Sequence, residues 1–254
     1  MSAGRTARER VRAELIREIM DVARRQLATA GAAGLSLRAI ARELGMVSSA
    51  IYRYVASRDD LLTLLIVDGY NAVGEAVERA DAEACAEGNA DDFAGRWLAV
   101  CRAVREWALA HPHEYALLYG SPVPGYQAPT DTVSPATRDK VVFSRIVAEA
   151  YAAGAVRPGE ADLPPVSPTL VESLDRVRDA VGLDVPDDVI ARALTAWAGL
   201  YGTVSFELFG QFNNVIDERA DYFDHTVTLL GRLVGLVGLP GPGGRSVTNV
   251  TDGK

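Results

Sequence analysis

The sequence predicts an all-α chain, with an N-terminal three-helix helix-turn-helix domain and a larger C-terminal helical domain, nine or ten helices in total. Three observations lead there. Nowhere do apolar and polar residues alternate over a strand's length, and no hairpin turn signal separates two such runs. Apolar residues instead recur three and four apart from Leu15 to Val237, interrupted by short Gly- and Pro-rich stretches. Residues 35–66, LSLRAIARELGMVSSAIYRYVASRDDLLTLLI, read as two short helices around a tight turn with a long helix directly behind them.

Residues 1–10 (MSAGRTARER) are polar and are expected to form a flexible basic arm. The domain at 11–56 opens with a helix that sets Leu15, Ile19 and Val22 on one stripe, with Ile16, Ala23 and Leu27 beside it, ending near Gly31. Ser36 is a natural N-cap for a second helix carrying Leu37, Ile40, Ala41 and Leu44. Gly45 supplies the left-handed residue that stops it. After Gly45-Met46-Val47 a third helix is expected from Ser48, its cap, to Val55. Two helices joined by three or four residues containing Gly form the unit whose second helix enters a DNA major groove.

The domain at 57–238 begins with a capping box, Ser57 with Asp60, opening a helix to about Glu87. Residues 91–110 place Phe93, Trp97, Val100, Cys101, Val104 and Trp107 on one broad face, ending at His111-Pro112. A short helix carries Tyr115, Leu118 and Tyr119. A loop spans 121–133, and Ser134-Pro135 is expected to start a helix that runs to Gly154. A Pro-rich loop (157–168) and an amphipathic helix (169–181) follow, a segment that reads equally as lid or spacer. Residues 186–212 and 217–238 read as two long helices, and 239–254 as a disordered tail.

The net charge is −8, yet residues 1–60 carry +4 and residues 61–254 carry −12. A basic head on an acidic body suits a DNA-binding domain joined to a partner domain. No run of eighteen apolar residues and no apolar leader occur, so a cytoplasmic protein with no membrane contact is expected. Cys85 and Cys101 have no metal or redox spacing, and His111, His113 and Glu114 make a weak ligand set, so neither metal nor cofactor is expected. Without a GxSxG elbow, P-loop, dinucleotide fingerprint or HExxH, an enzyme is not expected; the competing reading is an all-helical enzyme or ligand-binding protein with a vestigial helix-turn-helix.

Residues 12–66 resemble the DNA-binding domain of the TetR family of bacterial transcriptional regulators. The resemblance rests on Ser36, Ile40-Ala41, Leu44-Gly45, Ile51-Tyr52-Arg53-Tyr54-Val55 and Ser57-Arg58-Asp59-Asp60-Leu61, with Val47, Val55 and Arg58 departing from the usual Ser, Phe and Lys. On the recognition helix Ser48, Ser49, Arg53 and Tyr54 are the polar candidates for base edges, and Ala50 is small enough to meet a thymine methyl. Arg53 could grip guanine or simply lie exposed. Phosphate contacts are expected from Ser36, Arg38, Tyr54 and Arg58, with helix N–H groups at Ser36 adding to them. The resemblance puts Tyr52 on the phosphate side, although packing against Leu37 and Leu44 is open to it. Arg5, Arg8, Arg10 and Arg12 would follow the DNA backbone or solubilise the arm.

Trp97, Cys101, Trp107, Tyr115, Tyr119, Phe143, Trp197 and Tyr201 are candidates for a pocket taking an apolar or aromatic effector. AWAGLYGTVSFEL resembles, more weakly, a TetR ligand-domain subtype with Trp, His and Gly at this spacing, Tyr201 standing in the His place. The family resemblance assigns the last two helices to a homodimer interface, with Leu208, Val227, Leu230 and Val234 as candidates. The function this implies is a homodimeric regulator, expected to be a repressor, released by its effector from a near-palindromic double-stranded operator.

Overall fold

The computed structural model describes residues 7–87, 90–157 and 163–241. Among them are ten α-helices: α1 (Ala7–Ala30), α2 (Leu37–Glu43), α3 (Ser48–Ile51), α4 (Arg58–Glu87), α5 (Phe93–Ala110), α6 (Pro112–Tyr119), α7 (Val133–Ala152), α8 (Pro168–Val181), α9 (Asp187–Leu208) and α10 (Arg219–Val234). Extended pairing among the described residues is confined to a single bridge between Val156 and Leu236.

Two apolar cores form, and α4 enters both. The N-terminal core gathers Ile19, Val22 and Leu27 of α1, Leu37 and Ile40 of α2, Ile51 and Val55, and Leu61, Leu62 and Leu65 of α4. The larger core takes Val73 and Val77 from farther along α4, then Trp97, Val100 and Val104, Tyr115, Ile146, Ile190, Leu200 and Val227. Leu117, Val123 and Tyr126, from α6 and the loop after it, lie against the N-terminal core. The Thr63 and Tyr126 hydroxyls are 2.9 Å apart, and Arg24 pairs with Asp68 at 2.6 Å.

Several boundaries depart from expectation. α1 begins at Ala7, so Arg8, Arg10 and Arg12 are helical, while Arg5 lies outside the described residues. α3 is one turn long and not two, because beyond Ile51 the N–H groups of Arg53 and Tyr54 return to Ala50 and Ile51 in tighter three-residue steps. Its N-cap is Val47, without a side-chain cap, and Ser48 is the first helical residue. α7 starts at Val133 after a short 3-10 turn, with Thr132 and not Ser134 at the cap. α9 ends at Leu208. α10 stops at Val234, where the Leu236 N–H returns to the Gly231 carbonyl at 3.0 Å and Arg192 donates to the Val234 carbonyl at 2.7 Å. The tail expected to be disordered lies outside the described residues from 242 onward; within 239–241, Leu239 packs on the core.

Candidate DNA-reading head and ligand chamber

The head is assembled by local rules. Ser36 Oγ accepts from the Ala39 N–H at 3.3 Å and caps α2. At the other end the Gly45 N–H bonds Arg42 and the Met46 N–H bonds Ala41, with Gly45 at φ +66°, a left-handed stop that would strain any residue bearing a Cβ. Met46 and Leu44 pack on the N-terminal core, which sets the angle of α3 against α2. Ile51 of α3 and Val55 in the turn after it anchor this segment inward, both almost wholly buried.

What α3 leaves outside is Val47, Ser48, Ser49, Tyr52 and Arg53, all exposed, with Ala50 half-buried. The Arg53 carbonyl is held by Arg12 at 3.0 Å, and the Arg12 guanidinium stands 5.5 Å over the Tyr54 ring. Arg12 therefore braces the end of the recognition turn. Tyr54 packs partly on the N-terminal core, whereas Tyr52 is 44% exposed and not among its members.

The expected phosphate contacts divide. Arg38 is exposed beside Ser36 at the mouth of a concavity that also takes Arg42, Val47 and Ser48. The Ser36 N–H itself donates to Gln26 Oε1 at 3.1 Å. Arg58 turns inward and donates to the Ala32 carbonyl at 2.8 Å, so it ties α4 to the end of α1. Two residues were missed by sequence reasoning. Arg42 adds a cation to the concavity, and Val47, 72% exposed at the start of α3, presents a bare apolar surface suited to a thymine methyl. A signal existed for Val47, since an apolar residue at a capping position has no local reason to be there.

The aromatic candidates in the body also divide. A chamber of about 200 Å³ opens between α5, α7, α8 and α9, and Trp97, Phe143 and Trp197 line it with Val147, Leu183 and Ile190. Val177, Ala180 and Val181 of α8 form one wall, so this helix covers the chamber. Cys101 and Trp107 are not in its lining. Cys101 is wholly buried in the core, where burial pushes its thiol pKa well up, and Trp107 stacks on His111 at 5.4 Å. Trp97 turns its indole N–H to the Val227 carbonyl at 2.9 Å, which fixes α5 to α10.

Tyr115, Tyr119 and Tyr201 form an aromatic file beside the chamber, with ring centroids 4.9 and 4.6 Å apart. The Tyr115 hydroxyl donates to the Tyr201 carbonyl at 2.9 Å, and burial pushes its pKa up to about 12. Tyr201 donates to Asp139 at 2.5 Å; burial, then the Asp139 charge, keep that hydroxyl protonated. The Tyr119 hydroxyl is buried with no hydrogen-bond partner of good geometry. Sequence reasoning missed Lys140, which lines the chamber, and the wholly buried Asp139 behind it. Among the described residues no three His, Cys, Asp or Glu are placed to hold a metal, and no helix is long and apolar enough to cross a membrane.

Of the four dimer candidates, Val227 and Val234 are wholly buried inside the protomer, and Leu208 and Leu230 pack on its core. Leu230 fills the α9–α10 crossing, where a Cβ on Gly199 would meet it at 2.8 Å. Periodicity marks an apolar stripe without saying whether the chain or a second copy covers it. Large apolar residues left outside on this side are Phe206 (52% exposed), Phe209, Tyr222 and Leu229 (48%), with Phe206, Phe212 and Tyr222 in edge-to-face contact.

Two family descriptions match the chain: bacterial regulatory proteins of the tetR family over residues 19–65, and the tetracyclin repressor-like C-terminal domain over residues 97–230. HTH-type transcriptional regulators of Mycobacterium tuberculosis and Mycobacterium bovis are each 44% identical to it over 229 residues, 89% of this chain and 93% of theirs. The solved structure of regulatory protein SCO4313 is 36% identical with a TM-score of 0.71, covering 89% of this chain and 98% of its own. A tetR-family regulatory protein from Rhodococcus RHA1, 17% identical, shares the fold with a TM-score of 0.57 over 87% of this chain and 96% of its own. A capped helix-turn-helix on a helical body with an internal chamber, matched along both parts, places this chain in the tetR family of bacterial transcriptional regulators.

Proposed function

We propose that the protein is a homodimeric repressor that leaves a near-palindromic operator when a small lipophilic or aromatic effector enters the chamber. The observation that carries this reading is the path from chamber to head. Tyr201, beside the chamber, meets Tyr119 of α6, and α6 in turn sets Leu117 against the N-terminal core. Tyr70 of α4 lies edge-on to the same Tyr119 at 6.0 Å. An effector that repositions α9 therefore pushes on the two helices that carry the head. Linkage then requires operator DNA to weaken effector binding by the same factor.

In this reading Ser48, Ser49, Ala50, Arg53 and Val47 meet base edges, while Arg38, Arg42, Tyr52 and the capped start of α2 set register on phosphates. The dimer forms across Phe206, Phe209, Tyr222 and Leu229, large apolar side chains that the protomer covers only in part. Its role is to hold two recognition helices about 34–36 Å apart. The test is fluorescence anisotropy with DNA from upstream of the gene and a scrambled duplex, at physiological salt. Binding confined to the native duplex and reversed by a chamber ligand supports the reading. Simultaneous binding of operator and ligand with no mutual effect overturns it.

A further inference from the structure

Lys140 stands where two cavities of the body meet. One is the apolar chamber of about 200 Å³; the other, about 510 Å³, lies between α4, α6, α7 and the 121–133 segment, and Lys140 lines both. Its ammonium is surrounded by three aromatic rings, with centroids at 5.4 Å (Trp197), 5.7 Å (Tyr201) and 5.9 Å (Tyr70). Nζ is 2.9 Å from Asp139 Oδ1, and Tyr201 donates to Oδ2 of the same carboxylate. The neighbouring Arg138 is turned to Glu78 and Glu75 and gives Asp139 no second cation.

We propose that this is a cation cage occupied by the protein's own lysine, and that the effector is an organic cation with an apolar tail whose ammonium replaces that of Lys140. The inference rests on the chamber being the effector site and names the class of ligand it takes.

The two ends of the ion pair are unequal in freedom. Asp139 is wholly buried on a short side chain, so its charge must keep a counter-cation where it is. Lys140 has a side chain 24% exposed on a four-carbon stem, and can carry its ammonium out to water. Three ring faces attract whichever cation takes the place, quaternary ammonium groups included. An anionic head would gain Lys140 but would stand against the Asp139 charge and the negative ring faces. A neutral head would have to leave the lysine in place. Electrostatics therefore rank the heads cation, neutral, anion, while one tail fits the same apolar chamber in all three cases.

The test is calorimetric titration of the full-length protein with four ligands of one chain length, octylammonium, octyltrimethylammonium, octanol and octanoate, each below its micelle-forming concentration. Both cations should bind about tenfold or more tighter than octanol, and octanoate more weakly than octanol. Lys140→Met keeps the stem and removes the competitor, so it should tighten the two cations about tenfold and leave octanol unchanged. Asp139→Asn should bring the cations down to the octanol value. Lys140→Met leaves the buried Asp139 charge unpaired until a cation binds, so if either variant does not fold, the ranking of the four heads on the unaltered protein decides alone. Tightest binding of octanoate, equal binding of all heads, or weaker cation binding by Lys140→Met overturns the proposal while leaving the chamber reading intact. Absence of binding by any of the four overturns both.

Discussion

The end of α4 far from the head is held by a buried charge cluster, and Asp81→Asn tests how firmly. Asp81 is 2% exposed and accepts from Arg96 of α5 at 2.8 and 3.3 Å and from Arg145 of α7 at 2.6 Å. Arg96, 4% exposed, is left with Glu149 at 2.7 Å as its one ion pair once the Asp81 charge is gone, beside the Ala90 carbonyl at 3.0 Å and the Phe93 ring at 5.7 Å. Breaking a buried pair costs about 3–5 kcal/mol, and the surviving Glu149 puts this case near the lower end, about 3 kcal/mol. At about 2–4 °C per kcal/mol for a chain of this size, Tm should fall by about 6–12 °C. Burial works to raise the Asp81 pKa, but the hydrogen bonds from Arg96 and Arg145 outweigh it and hold the carboxyl below its ordinary value. Its stabilisation is therefore complete above the unfolded pKa of about 3.9 and is lost as pH falls through the lower folded value. Glu78, held down chiefly by its hydrogen bond from Arg138, is lost in the same window, so wild type keeps an acid limb that the variant shares only in part. Urea unfolding followed by circular dichroism, at one protomer concentration, should show a gap between the proteins that narrows from pH 5 towards pH 3. A gap below about 1 kcal/mol at pH 7, or one that persists unchanged in acid, would refute the reasoning.

Three further outcomes are expected. Arg53→Ala should cost about 1–3 kcal/mol on the best duplex and erase preference at one base pair, whereas Arg12→Ala, by freeing the Arg53 carbonyl, should weaken all sequences alike; competition binding across single-base variants separates the two. Gly45→Ala places a Cβ at φ +66° with nothing to collide with, so thermal unfolding should register only the backbone strain of about 1–2 kcal/mol. Leu229→Glu should yield a folded monomer by light scattering with little change in protomer helicity, whereas Val227→Glu, at a wholly buried position, should fail to fold.

The parts of this architecture that are local were legible in the sequence. Ser36, Gly45 and Ser57 act on groups within five residues of themselves, and each makes the cap or stop its position predicts. Where helices end by tertiary demand, legibility fails. α3 tightens after Ile51, and Val47 takes the cap place without a side-chain bond, and neither departure has a marker in the local pattern. Side-chain destinations were harder still. Val227 and Leu229 are two residues apart on α10 and equally apolar, yet one is in the core and the other outside, which the positions of α5 and α9 decide. Asp139 and Lys140 are adjacent, a spacing at which side chains on a helix do not normally face each other, so nothing in the pattern marks them as a pair. Their meeting depends on Tyr70, Trp197 and Tyr201 arriving from two other helices.

In the proposed mechanism, small motions at the chamber are enough to change what the head reads. α4 is 30 residues long, about 45 Å at 1.5 Å per residue, and its distal end is clamped to α5 and α7 through Asp81. From Asp81 to the start of α4 is about 35 Å, so a tilt of about 5° about that clamp would carry the head by about 3 Å. In a dimer both heads move, and the separation departs by several ångströms from the 34–36 Å that two successive major grooves demand. The point where such a tilt would be applied is Tyr70, on α4 between clamp and head, which shares the Lys140 ammonium with Trp197 and Tyr201. α6 adds a second push, since Tyr115 is bonded to the Tyr201 carbonyl while Leu117, two residues on, rests against the N-terminal core. Replacing the lysine at that junction therefore alters the packing of α4, α7 and α9 together, which is what a ligand must do if it is to favour one head spacing over another.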